Sequence, residues 1–215
     1  MLVVVVIICF CSCHKDDETV NSKVTTSSYL PMAVGNYWVY QEYYSQGNAP
    51  FVASSIIDST CISKDTIING KTFYRFDSFQ IDTHLATPLS FKSSDFYADS
   101  AKYLINSKGE ILFSEDNFTD ILLRRSDVIQ EDTITWITGK MEKLGQTVTV
   151  PAGTFNDVLN LKGTVNCNPK FTAIANPRYV NKYFAKNVGE ILHSYIYVGG
   201  GGTIERRLIR YKIIN

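Results

Sequence analysis

Net charge, long apolar runs and reactive-site signatures are all missing from this 215-residue chain, and each absence removes a class of function. Its 21 Lys and Arg offset 21 Asp and Glu, so no global field draws in a polyanion, and nucleic acid is not an expected partner. No apolar stretch approaches the roughly 20 residues that a membrane-spanning helix needs. Histidine is nearly absent: His14, His84 and His193 have no partner at metal spacing, and H-E-x-x-H does not occur. Neither a G-x-S-x-G elbow nor a phosphate-cradling Gly-Lys-Ser/Thr loop is present, and the glycine run 199–202 has no basic residue following it. We therefore expect no enzyme, no cofactor and no metal. Cysteine is scarce too. Past Cys13 only Cys61 and Cys167 remain, and an oxidising compartment would permit them to pair.

What the chain does have is strand-forming material. It carries 13 Tyr, 12 Phe and 2 Trp alongside frequent Val, Ile and Thr, in a sequence that is 45% hydrophobic, enough for one well-filled domain. No internal repeat and no second block of composition appear, so we expect an all-β fold: a single antiparallel domain, as a curved sheet, half-barrel or sandwich.

The first 28 residues stand apart from that domain. Leu2 to Phe10 reads as a signal-peptide h-region, and the missing basic n-region places the expected start codon upstream. Phe10-Cys11-Ser12-Cys13 resembles the lipobox of bacterial lipoproteins, which implies that residues 1–12 are a lipoprotein signal peptide. Cys13 would then become the acylated first residue and the membrane would be a partner through its lipid. Two or more chains hold a protein stably at about 0.8 kcal/mol per buried methylene. Lys15, Asp16, Asp17 and Glu18 resemble the export signal that follows the acylated Cys in surface-exposed lipoproteins of Bacteroidetes-type bacteria. That resemblance implies an outer-membrane protein, surface-exposed or periplasm-facing. Residues 13–28, polar from Thr19 on, read as a flexible tether, and the domain is expected over 29–215.

Within the domain, Gly35-Asn36 turns into an aromatic strand in which Trp38 and Tyr40 share one face. Asn69-Gly70 between apolar runs predicts a tight hairpin, because both central residues must take positive φ. Ser107-Lys108-Gly109 predicts a second hairpin, between strands over 95–105 and 110–114. Residues 121–129 are ambiguous between a strand and a helical turn. A meander follows at 178–185 and 190–198. In the last strand Ile209, Tyr211 and Ile213 are expected on one face, against Leu208, Arg210 and Lys212 on a wet one. The stretch 148–161, VTVPAGTFNDVLNL, predicts a strand, a corner and another strand: Pro151 removes a ladder donor, Gly153 permits the bend and Phe155 anchors the corner in the core.

Val150 to Leu161, with Tyr183 to Ile191 (YFAKNVGEI) and Val34 to Tyr40 (VGNYWVY), resembles the V-P-A-G-T-F, Y-[YF]-A-x-x-V-G and V-G-N-x-W-x-Y motifs of uncharacterised Bacteroidetes-type envelope lipoproteins. The resemblance implies a β-rich secreted lipoprotein and no catalytic residues. Four tripeptides, beginning at Asp58, Asp65, Asp99 and Asp132, also resemble D-[ST]-small O-glycosylation sites of such bacteria. Two functions follow as expectations. One is a non-enzymatic binding or structural module with an envelope protein or glycan partner; the other is a carrier of a hydrophobic ligand or lipid in a half-barrel cavity.

Overall fold

In the computed structural model, residues 27–84, 90–171, 177–197 and 200–214 are described. Cys13, Lys15, Asp16, Asp17 and Glu18 lie outside them. Alternating apolar residues and frequent two-residue turns produce fourteen strands. The first half comprises β1 (Tyr37–Gln46), β2 (Val52–Ile68), β3 (Lys71–Asp82), β4 (Ser90–Ser100), β5 (Tyr103–Asn106), β6 (Ile111–Ser114) and β7 (Leu123–Ile129). The second half comprises β8 (Asp132–Lys143), β9 (Val148–Val150), β10 (Gly153–Phe155), β11 (Val158–Cys167), β12 (Arg178–Ala185), β13 (Gly189–Ile196) and β14 (Gly202–Lys212).

Twelve of these form one antiparallel sheet in the order β6-β5-β4-β3-β2-β1-β14-β13-β12-β11-β8-β7, curled into a nearly closed barrel. The curl is visible in one contact: Phe113 on edge strand β6 meets Phe184 on β12 with ring centroids 4.4 Å apart, although eight steps of the sheet separate the two strands. Large twisted sheets of this size tend to close on themselves, which removes their exposed edges.

Several turns are as the sequence predicts. Asn69 and Gly70 both have positive φ, at 50° and 76°, and β2 pairs with β3 across them. Two further tight turns, Ala101-Lys102 and Gln130-Glu131, reach the same left-handed region without a glycine. The first splits the strand expected over 95–105 into β4 and β5, and the second joins β7 to β8. Residues 123–129 are a strand.

In β14 the expected faces are reversed at Leu208, which is fully buried. A bulge opposite Val39/Tyr40 inserts Ile209, so Tyr40 pairs with Leu208 while Val39 pairs with Arg210. One extra residue flips the parity of everything beyond it.

The tether is docked at its end. Ser27 N–H donates to Asp99 Oδ2 at 2.5 Å, Ser28 N–H to Glu115 Oε2 at 3.0 Å, and Asn187 N–H to the Ser28 carbonyl at 2.6 Å. These bonds pull Tyr29 and Leu30 into a core with Phe113, Met141, Leu159, Leu161 and Phe184. Asn36, fully buried, then ties the segment before β1 to the segment after β14: its amide donates to the Pro31 carbonyl at 2.8 Å and its Oδ1 accepts from Ile214 N–H at 2.7 Å.

Strands β9 and β10 form a separate two-stranded hairpin on the barrel, joined to it by Ala152 N–H to the Leu208 carbonyl at 3.0 Å. Gly153 sits there at φ 145°, a conformation open only to glycine. Phe155 packs on the principal core, its ring 6.2 Å from that of Tyr211.

The Cys61–Cys167 bridge is not made. Cys61 is exposed on β2 and Cys167 is buried at the end of β11, with β1, β14, β13 and β12 lying between their strands. Loop-closure entropy favours such a link only where geometry brings the sulfurs together, and here one cysteine is exposed and the other buried.

Candidate functional site

The barrel does not fill its interior with apolar side chains alone. Lys182, His193 and Arg206 are direct ladder partners across β12, β13 and β14, and Arg206 is opposite Glu42 on β1. Residues directly opposite each other project to the same face, so the sheet aligns these polar groups in one row.

Arg206 is the centre of the row. Its Nη1 donates to Glu190 Oε1 and its Nη2 to Asp58 Oδ1, both at 2.9 Å, while Thr60 Oγ1 accepts from Nη2 at 3.3 Å. The guanidinium carbon lies 3.7 Å from the centroid of the Tyr40 ring, a stacked cation–π contact. Tyr40 in turn donates its hydroxyl to the Glu190 carbonyl at 3.0 Å. Lys182 Nζ is 3.4 Å from Glu190 Oε2, so a single carboxylate serves both cations. Arg206 Nε is buried with no hydrogen-bond partner among the described residues.

Electrostatics fix the protonation of this group. Burial opposes ionisation of Glu190, but the Lys182 and Arg206 charges outweigh it and hold the carboxyl at about 2. Burial also works against the Arg206 charge, and Glu190, Tyr40 and Asp58 more than offset it, raising the guanidinium further. His193 is driven the other way. Burial, then the Lys182 charge, pushes it down to about 3 despite Glu190, leaving a neutral imidazole whose Nδ1 shares a hydrogen bond with the Tyr195 hydroxyl at 2.9 Å.

Beside the row lies a cavity of about 280 Å³. Lys182, Glu190, His193, Tyr195 and Arg206 supply the polar part of its wall. The apolar part comes from Leu30 and Met32 of the N-terminal segment, with Leu104, Leu112 and Phe184 from β5, β6 and β12. Aromatic rings line a third part: Trp38 and Phe76 stack 6.1 Å apart at 11°, and Tyr97 meets Phe76 edge-on at 5.1 Å. The Trp38 indole N–H is already satisfied by the Val188 carbonyl at 2.6 Å. Burial and the Asp95 carboxylate push the Tyr97 hydroxyl up to about 12, so it remains a donor at neutral pH.

No known protein family matches the chain, and no curated protein does. Solved structures do. An inferred exported protein with YmcC-like fold from Bacteroides fragilis is 12% identical with a TM-score of 0.50, over 85% of this chain and 98% of that one. The chain shares this fold. An inferred lipoprotein from Parabacteroides distasonis is 13% identical with a TM-score of 0.48, over 87% and 100% of the two chains.

Of the positions singled out in the sequence, Pro151, Gly153 and Phe155 lie on the β9–β10 hairpin, and neither they nor Cys61 or Cys167 line the cavity. Trp38, Tyr40 and His193 do line it. Asp58, noted as part of a glycosylation-like tripeptide, is an ion-pair partner of Arg206. Arg206, Glu190 and Lys182 escaped sequence reasoning. Their signal was weak: charged residues at barrel-facing positions look like those of any wet strand face until strand order shows that the face is enclosed.

Proposed function

We propose that this protein is a non-enzymatic, lipid-anchored envelope lipoprotein that holds a small amphipathic molecule, or one end of a larger one, in its barrel cavity. The cavity beside the Lys182–His193–Arg206 row carries this reading. Small-molecule sites are concave and mostly apolar with a few fixed polar groups, and about 280 Å³ lies near the lower limit of their usual range. Binding rather than catalysis is supported by the state of the polar groups. Glu190 is shared between two cations and the His193 imidazole is bonded to Tyr195, so both are committed to partners within the wall. A general acid or base would instead be poised near the working pH and open to a substrate.

The anchor belongs to this reading through the lipobox-like Cys13 and the residues after it. The YmcC-like fold shared with an inferred exported protein is in keeping with an envelope location. The docked segment Ser27–Met32, which supplies part of the cavity wall, would then connect the site directly to the tether. Surface display from the outer membrane is the placement that Lys15, Asp16, Asp17 and Glu18 favour.

The test uses the full chain carrying Cys13→Ser and an environment-sensitive apolar fluorophore. Saturable emission enhancement is expected. Leu112→Trp, which fills the apolar part of the cavity, should abolish it while leaving the unfolding temperature within a few degrees. Identical emission from both proteins would refute binding in this cavity.

A further inference from the structure

Among the described residues, the charged groups lining the cavity are two cations, Lys182 and Arg206, and two carboxylates, Glu190 and Asp95, while Asp58, outside the lining, pairs with Arg206. Both cations are engaged by Glu190, and Arg206 by Asp58 as well. Asp95 differs. It is exposed at the wall of the cavity, it interacts with the Tyr97 hydroxyl, and it has no ion-pair partner among the described residues. Glu42, across the ladder from Arg206, accepts from Gln80 Nε2 at 3.3 Å and does not line the cavity.

Among the described residues lining the cavity, an incoming anion therefore finds no free cation. To pair with Lys182 or Arg206 it would have to displace Glu190 or Asp58, leaving that carboxylate uncompensated. An incoming cation fares little better, because the two buried carboxylates are saturated and Asp95 is screened by solvent. Groups suited to a neutral oxygen do line the wall: the Tyr97 hydroxyl, the Ser78 and Thr60 hydroxyls, bonded to each other at 2.9 Å, and the His193–Tyr195 pair. Leu104, Leu112 and Phe184 are suited to a hydrocarbon chain.

We infer that the cavity selects an uncharged amphiphile, an alkyl chain ending in a hydroxyl or ester head group, and rejects anionic lipids and fatty acids. This inference rests on the proposed binding function and specifies its ligand class. What sets the discrimination is that Lys182, Arg206 and Glu190 are already paired, so a charged head group would lose its hydration without gaining a partner among them.

Three probes with the same chain, lauroyl glycerol, laurate and dodecylammonium, distinguish the outcomes in calorimetric titration of the full chain carrying Cys13→Ser at neutral pH. The glyceride is expected to bind most tightly, with laurate and dodecylammonium each about 10-fold weaker, the scale of desolvating a charged head group that gains no new partner. Laurate or dodecylammonium binding as tightly as the glyceride would overturn the inference while leaving cavity binding intact. Failure of all three probes, with Leu112→Trp indistinguishable from the parent, would overturn the binding function itself and this inference with it.

Discussion

Arg206 and Glu190, on adjacent strands β14 and β13, form an ion pair at 2.9 Å inside the barrel, and the same carboxylate reaches Lys182 from β12. Glu190→Gln removes the shared counter-ion and leaves two cations underneath the sheet. Breaking a buried pair from one side typically costs about 3 kcal/mol, and chemical denaturation should show a loss of that order. Arg206→Met combined with Glu190→Leu should cost less than the sum of the two single changes, since both belong to one network, although Lys182 and Asp58 lose their ion-pair partners.

Acid should destabilise the fold in two stages. His193 has its folded pKa lowered from 6.5 to about 3, so the unfolded chain binds the proton more readily between those values. Stability is therefore full above about 6.5, the ordinary histidine value, and falls as the pH drops toward 3. Glu190, lowered from 4.5 to about 2, adds a second loss beginning near 4.5 and complete only below 2. His193→Asn should flatten the unfolding temperature between pH 6.5 and 4.5 while keeping the steeper fall below it. An unchanged profile in that variant would remove His193 from the account.

The β9–β10 hairpin should matter to stability and not to binding. Gly153 at φ 145° tolerates no β-branched side chain without strain, and Gly153→Val should cost about 2 kcal/mol. The fluorophore affinity of the folded fraction should stay that of the parent, because the hairpin contributes nothing to the cavity wall. A fully stable variant with lost binding would make the hairpin part of the site.

Anchoring is tested separately from binding. Palmitate labelling in the native host should mark the parent protein and not Cys13→Ala. Equal labelling of the two would show that Cys13 is not the acylated residue, and full protection of the parent from protease on intact cells would contradict surface display.

Local features of the fold were legible in the sequence and long-range ones were not. Asn69-Gly70 announces its hairpin because two successive positive-φ positions have few residue choices, whereas Ala101-Lys102 and Gln130-Glu131 adopt the same conformation against their intrinsic preference, held there by the strands they join. The β14 bulge at Ile209 reverses the buried face without leaving a compositional mark, so Leu208 looked solvent-facing. The site is illegible for a related reason. Asp58, Lys182, Glu190 and Arg206 come from four strands, and only the strand order β2-β1-β14-β13-β12 brings them together. His193 was visible as a lone histidine, and its ladder position between Lys182 and Arg206 is what gives it a setting. The apolar part of the cavity depends equally on Leu30 and Met32 in a segment read as the start of the domain and docked there by Asp99 and Glu115.

The central claim is that the barrel holds an amphipathic molecule, and native mass spectrometry of the protein purified gently from its own host membrane tests it most directly. A discrete non-covalent adduct is expected, with the mass of an uncharged amphiphile, released on unfolding and absent from Leu112→Trp. A spectrum showing the protein with no such adduct, or an adduct retained in full by Leu112→Trp, would contradict the claim.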